Sequence, residues 1–216
     1  MRWIASRSTL RRSDALTFPF LNERTFTRTH FVKGDFTSTV PRDFTPSFGE
    51  LFSAELRIEA ETTRRFIERI PAGKLTWRPH EKSHTAGELA LHIAQIPDGV
   101  SMMAMSSPFS MDKGPPEFTQ PKTIAEILHA HAQGVEQALS RLSGISDDAY
   151  LSDWTLTIGG KPIMTMPRHV MVRSILLNQT YHHRGQLGVY LRLMGENVPW
   201  SYGPSADEMP PGFEEM

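Results

Sequence analysis

The chain has 216 residues, 39% of them hydrophobic and 22% charged, with a formal net charge of −1. That length allows one domain with a sizeable core plus a tail. The near-neutral balance argues against a general nucleic-acid binder, which needs a basic excess to neutralise phosphates. Cysteine is absent, which excludes disulfides, thiolate metal sites and a cysteine nucleophile. A reducing compartment fits that absence, and the cytoplasm is the expected location. No apolar run approaches the roughly 20 residues of a membrane span. Nine histidines and eleven methionines stand out; the methionines read as pliable core filler.

Residues 1–45 set Arg2, Arg7, Arg11, Arg12, Arg24, Arg28, Lys33 and Arg42 against Asp14, Glu23, Asp35 and Asp43. Neither a strand period nor a helix period persists there. The expectation is a disordered N-terminal extension, dispensable for folding. An Arg/Ser-rich targeting segment and an arm packed on the domain are the alternatives. A secretory apolar stretch is missing, which argues against a signal peptide.

From Pro46 the pattern turns helical, and a domain over 46–208 is predicted, followed by a tail at 209–216. The first helix, over 47–70, carries Phe48, Leu51, Phe52, Leu56, Phe66, Ile67 and Ile70 at helical spacing. Ser47 is its N-cap, with Glu50 as capping-box partner. The second helix, over 85–106, starts with Thr85 and Glu88 in the same roles. Leu89, His92, Ile93 and Ile96 share one face, and Pro97 is expected to kink or break the helix. A proline-rich loop follows over 107–121. The third helix spans 122–143, with Ile127, Val135, Leu139 and Leu142 inward and Gly144 as its stop. Trp154 to Ile158 alternates, Gly159-Gly160 turns, and a hairpin-like excursion is predicted over 154–164. The fourth helix spans 167–194, with Pro167 at its first turn and Gly195 past its end. Its inward stripe is Val170, Val172, Ile175, Leu176, Gln179, His183, Gln186, Leu187 and Tyr190. Isolated helices of this length are marginal in water, so the four stripes are expected to meet in an all-α four-helix bundle. Three helices with a β-annex are the alternative.

The segment Asn178-Gln-Thr-Tyr-His182-His183-Arg-Gly-Gln186 is the most informative. On a helix Gln179 and His183 stack one turn apart, while His182 lies about 100° round from His183. His92 sits among apolar positions, and a core-facing imidazole needs partners for its nitrogens. One such partner is a metal, since neutral imidazole ligates zinc, nickel and ferrous iron; a backbone carbonyl or carboxylate is the commoner one. His129 and His131 fall on different faces of the third helix and read as solvated. His80, His84 and His169 lie near helix ends, where capping explains them.

The run Leu89-Ala-Leu-His92-Ile-Ala resembles the segment of DinB-family proteins that carries their first metal-binding histidine. Arg168 to Arg173, followed by Asn178 to Leu187, looks like the last helix of that DinB/YfiT-like family, and Val198 to Glu208 is similar to a tail in one of its branches. The resemblance covers residues 48–208 and implies the DinB/YfiT-like four-helix bundle. It also implies a divalent metal held by one histidine of the second helix and an H-x3-H pair of the last. Those positions are His92, Gln179 and His183 here. Glutamine replaces the middle histidine, and its carbonyl oxygen is a weaker, harder ligand than imidazole. His182 is the reserve ligand. Arg184 and Gln186 are expected to fix the helix or a subunit contact.

The resemblance further implies a metal-dependent enzyme acting on a small molecule, a thiol-dependent transferase or a hydrolase. Zinc, nickel or iron would be the metal, and a low-molecular-weight thiol a co-substrate. The competing expectation is a non-catalytic bundle whose Gln179 marks a degenerate site, serving as a stress-associated scaffold or ligand-binding module. Expected partners are a small-molecule substrate and at most a second copy in a homodimer, with no nucleic acid and no membrane.

Overall fold

A computed structural model describes residues 45–115 and 117–213 of the chain. The expectations for residues 1–44, and for the last three residues of the tail, lie outside the described residues. Helix α1, Phe48–Glu68, starts where Ser47 and Glu50 close a reciprocal capping box. A single 3₁₀ turn, Ala72–Lys74, leads toward α2, Ala86–Ala104, which opens with the same device built from Thr85 and Glu88. In both cases two backbone donors that a helix start leaves orphaned are satisfied.

Pro97 does not interrupt α2. The missing N–H and the clash with the preceding turn cost about 3 kcal/mol in an isolated helix. Here α2 is buried on most of its surface, from Ala86, Leu89 and Ile93 to Ile96, Pro97 and Val100, and that packing exceeds the local penalty. Helix α3, Ile124–Gly144, is capped by Thr123 and packs extensively against α2 and α1. Gly144 is its last residue rather than a left-handed stop, and Ile145 ends it in extended conformation. Close approach is built in at Gly49, where a Cβ would meet the Leu142 carbonyl oxygen at 2.7 Å.

The predicted excursion is part of a small three-stranded sheet. Strands β2, Asp153–Ile158, and β3, Lys161–Pro167, are antiparallel around Gly159 and Gly160, whose φ angles of 57° and 71° suit a primed two-residue turn. Strand β1, Phe109–Ser110, joins β2 in parallel. It falls in the segment 107–121 read from sequence as a loop, and the short helix α4, Asp147–Leu151, lies between elements predicted from sequence.

The fourth long helix begins as α5, Arg168–Met171, passes through a π-helical stretch, Val172–Leu177, and continues as α6, Asn178–Met194. Gly195, at φ 83°, ends α6, with Glu196 N–H donating to Leu191 O and Gly195 N–H to Arg192 O, the Schellman arrangement. The π stretch winds more residues into each turn than an α-helix and so rotates everything after it. Thus the buried line of α6 is Thr180, Arg184, Leu187 and Leu191. Of the residues predicted inside, Val170, Gln179 and Gln186 are exposed, and His183 lies half-buried along the edge of that line.

Two core clusters result. One gathers Phe52, Leu56, Leu142, Tyr150, Trp154, Leu176 and their neighbours. The other gathers Ile67, Leu89, Ile93, Ile127, Leu187 and Leu191 with theirs. The polar ends of the large aromatics are satisfied, since Trp154 Nε1 donates to Met103 O at 2.9 Å and Tyr150 OH to Leu142 O at 2.8 Å. No helix among the described residues is long and apolar enough to cross a membrane.

Candidate metal centre

Helix α2 holds His92 half-buried beside the fully buried Ile93. Across from it, α6 presents His183, whose ring centroid lies 4.8 Å from that of His92 with the planes at 82°. The exposed His182 ring is 4.9 Å from that of His183. Gln179, one turn earlier, places Oε1 3.0 Å from His183 Nε2, and Gln186 places Oε1 2.8 Å from His183 Nδ1. All four residues proposed from sequence, His92, Gln179, His182 and His183, therefore meet at one edge of the α2–α6 seam.

Two further side chains belong here. The His84 ring stacks on Phe118 at 3.6 Å and 9°, and Phe118 lies 4.6 Å from the His92 ring. His84 Nδ1 is 3.9 Å from the Glu88 carboxylate. Sequence reasoning gave His84 a capping role because it precedes a helix start. Phe118 stands in an aperiodic, proline-rich segment and carries no signal at all.

Burial pushes the His92 imidazole down to about 4, with the neighbouring His183 and His84 adding to the effect. His183 is lowered as well, chiefly by burial, against the opposing hydrogen bond to Gln186. Both rings are thus neutral at pH 7, and each has one nitrogen lone pair to give. A neutral imidazole also has a single N–H. Whichever His183 nitrogen carries it, the other nitrogen faces a carboxamide oxygen, acceptor against acceptor. With Nδ1–H donating to Gln186, two arrangements relieve the contact at Nε2: the Gln179 carboxamide turned over so that its NH₂ donates, or a cation between the two lone pairs.

Among the described residues, no three histidine or acidic side chains approach closely enough to hold a metal ion. The His92 and His183 imidazoles and the Gln179 amide oxygen lie side by side at this edge. By donor chemistry, such a set suits a weakly held divalent cation better than a closed structural zinc site.

The remaining histidines divide. His129 is exposed, as predicted, but His131 is not. His131 is 5% exposed, with Nε2 3.0 Å from Ala60 O on α1. The α3 face on which it sits meets α1, which helical spacing within α3 alone could not reveal. Arg184 is buried in an ion pair with Glu59 at 2.6 Å and also bonds Thr63 and the Tyr202 hydroxyl. Its role is within its own chain, fixing α6 to α1.

The DinB family model matches residues 45–213. The chain belongs to the DinB family. This DinB-family chain is 22% identical over 157 residues to the uncharacterized protein YrdA of Bacillus subtilis, covering 73% of this chain and 89% of that protein. Its fold is similar to that of a DinB-like protein from Bacillus cereus, at TM-score 0.56 and 20% identity, over 70% of this chain and 95% of the other. It is also similar to the DinB-like protein YjoA of Bacillus subtilis, at TM-score 0.54 and 16% identity, over 69% and 96%. At such identities the likeness to the two solved structures establishes the shared bundle.

Proposed function

We propose that this DinB-family chain binds a divalent metal ion through His92, His183 and the Gln179 carboxamide oxygen, and acts through it on a small molecule. The observation that carries the reading is His183, a neutral imidazole set between two carboxamide oxygens. With the Gln186 carboxamide oxygen accepting from Nδ1–H, the ring would be held with its Nε2 lone pair toward Gln179 Oε1, the usual support for a ligating histidine. His92, kept neutral by burial, faces the same space. When bound, a divalent ion would lower the pKa of a coordinated thiol or water, the chemistry expected of a thiol-dependent transferase or a hydrolase. Zinc, nickel and iron are the candidate ions. The amide oxygen makes the centre weaker than one with three imidazoles.

Titration calorimetry with zinc and nickel tests this. The natural sequence is expected to bind at micromolar concentrations. His92→Ala should abolish binding, Gln179→His should tighten it, and Gln186→Ala should weaken it about 10- to 100-fold, as loss of a ligand's supporting hydrogen bond does. Binding that survives His92→Ala would overturn the assignment. A second reading follows from the turned-over Gln179 carboxamide, which makes an ordinary hydrogen bond to His183 and leaves a metal-free ligand-binding bundle. Absence of binding in the natural sequence, with binding restored by Gln179→His, would establish that reading instead.

A further inference from the structure

We infer that Phe118 is the cover of His92 in the histidine site, the side chain that decides which molecules reach that imidazole. The ring packs on imidazoles, with His84 parallel at 3.6 Å and His92 at 4.6 Å. It belongs to neither apolar core cluster and remains 38% exposed. Its inner face thus lies on the histidines and its outer face in solvent, which is the placement of a cover rather than of a core residue.

The position is enforced two residues further on. The Thr85 hydroxyl donates to Gln120 Oε1 at 2.7 Å, and the Gln120 amide donates to Leu75 O and Pro121 O, both at 3.2 Å. Gln120 seats directly on Gly87, where a Cβ would lie 2.6 Å from Gln120 Nε2 and 2.9 Å from Leu75 O. These bonds tie the segment that enters α3 to the N-terminus of α2, five residues before His92 in the case of Gly87. Gln120 is therefore the positioning residue and Phe118 the specificity-determining one. A small molecule that approaches His92 from this side has to pass the Phe118 ring or displace it.

The inference rests on the histidine cluster of the proposed site and not on a metal, so its test is made in the presence of a chelator. The full-length chain is treated at neutral pH with diethyl pyrocarbonate, a small uncharged reagent that acylates imidazole nitrogen. Modification is followed at each histidine by peptide mass spectrometry. Exposed His129 is the internal reference. In the natural sequence His92 should react more slowly than His129. Phe118→Ala should raise the His92 rate several-fold with His129 and the thermal midpoint unchanged, and Phe118→Leu should restore part of the protection. Gln120→Ala should also raise the His92 rate by releasing the anchor. Equal His92 rates in the natural sequence and Phe118→Ala would overturn the inference, whether or not the calorimetric titrations find a metal. Faster modification of every histidine together would show loosening of the whole bundle and would also overturn it.

Discussion

His131 shows how one residue's environment sets a pH response. Its Nε2–H donates to Ala60 O, and Nδ1 is buried without a partner among the described residues. Burial is the main cause of its lowered pKa, and Arg64 acts in the same direction. The bond to Ala60 and the Glu61 carboxylate oppose them. Because the folded pKa lies below that of the unfolded chain, acid protonates the unfolded state first. The stability tied to neutral His131 is therefore fully present above about pH 6.5 and is lost as the pH falls from there toward the folded value. Thermal midpoints from pH 8 to pH 4 should fall more steeply for the natural sequence than for His131→Gln, which cannot titrate. Parallel curves would show that His131 does not govern this acid loss.

Among the elements, the join of α6 to α1 depends on a charge pair out of water. Glu59 and Arg184 retain 9% and 3% of their side-chain exposure. The segment beyond α6 lies over the same join. The Tyr202 hydroxyl donates to Glu59 at 3.0 Å and lies 2.5 Å from Arg184. The Arg65 guanidinium sits 4.1 Å over the Trp200 ring, and Asp207 accepts from Arg192 and from Val198 N–H. Removing one member of a buried pair leaves the other charge uncompensated, at a cost of about 3–5 kcal/mol, whereas replacing both with apolar residues is often near neutral. Arg184→Met alone should therefore lower the unfolding free energy by about that amount, and Glu59→Leu with Arg184→Met should recover most of the loss. Denaturant titration of the two variants measures it. A double variant worse than the single one would mean that the pair contributes through geometry rather than through charge.

Over the bundle as a whole, the two apolar clusters are joined through the long helices α1 and α2, each of which contributes to both. Leu56 and Ile93 are 1% and 0% exposed and lie in different clusters. Leu56→Ala and Ile93→Ala should each cost about 2–5 kcal/mol, since a buried aliphatic chain leaves a cavity that its surroundings fill only in part. Both should shift one common transition seen identically by far- and near-ultraviolet circular dichroism, as expected for a domain that unfolds cooperatively. Separate transitions for the two variants would show that the clusters melt independently.

The helices, their caps and the glycine turn were legible because they depend on neighbours in sequence. Ser47 with Glu50, Thr85 with Glu88, the stripe from Phe52 to Ile67 and the pair Gly159-Gly160 each act within a few residues. The nearness of Gln179, His182 and His183 also follows from helical spacing, and family resemblance groups His92 with them. Tertiary packing decided the rest. It kept Pro97 inside a helix, because burial of α2 outweighs one lost hydrogen bond. It also buried His131, because α1 covers that face of α3. Through the π-helical stretch it turned α6 so that Arg184 points inward and His183 stands at the edge, beside Gln186. And it brought His84 and Phe118 onto His92, since a loop's destination depends on the surfaces it meets and not on its own periodicity.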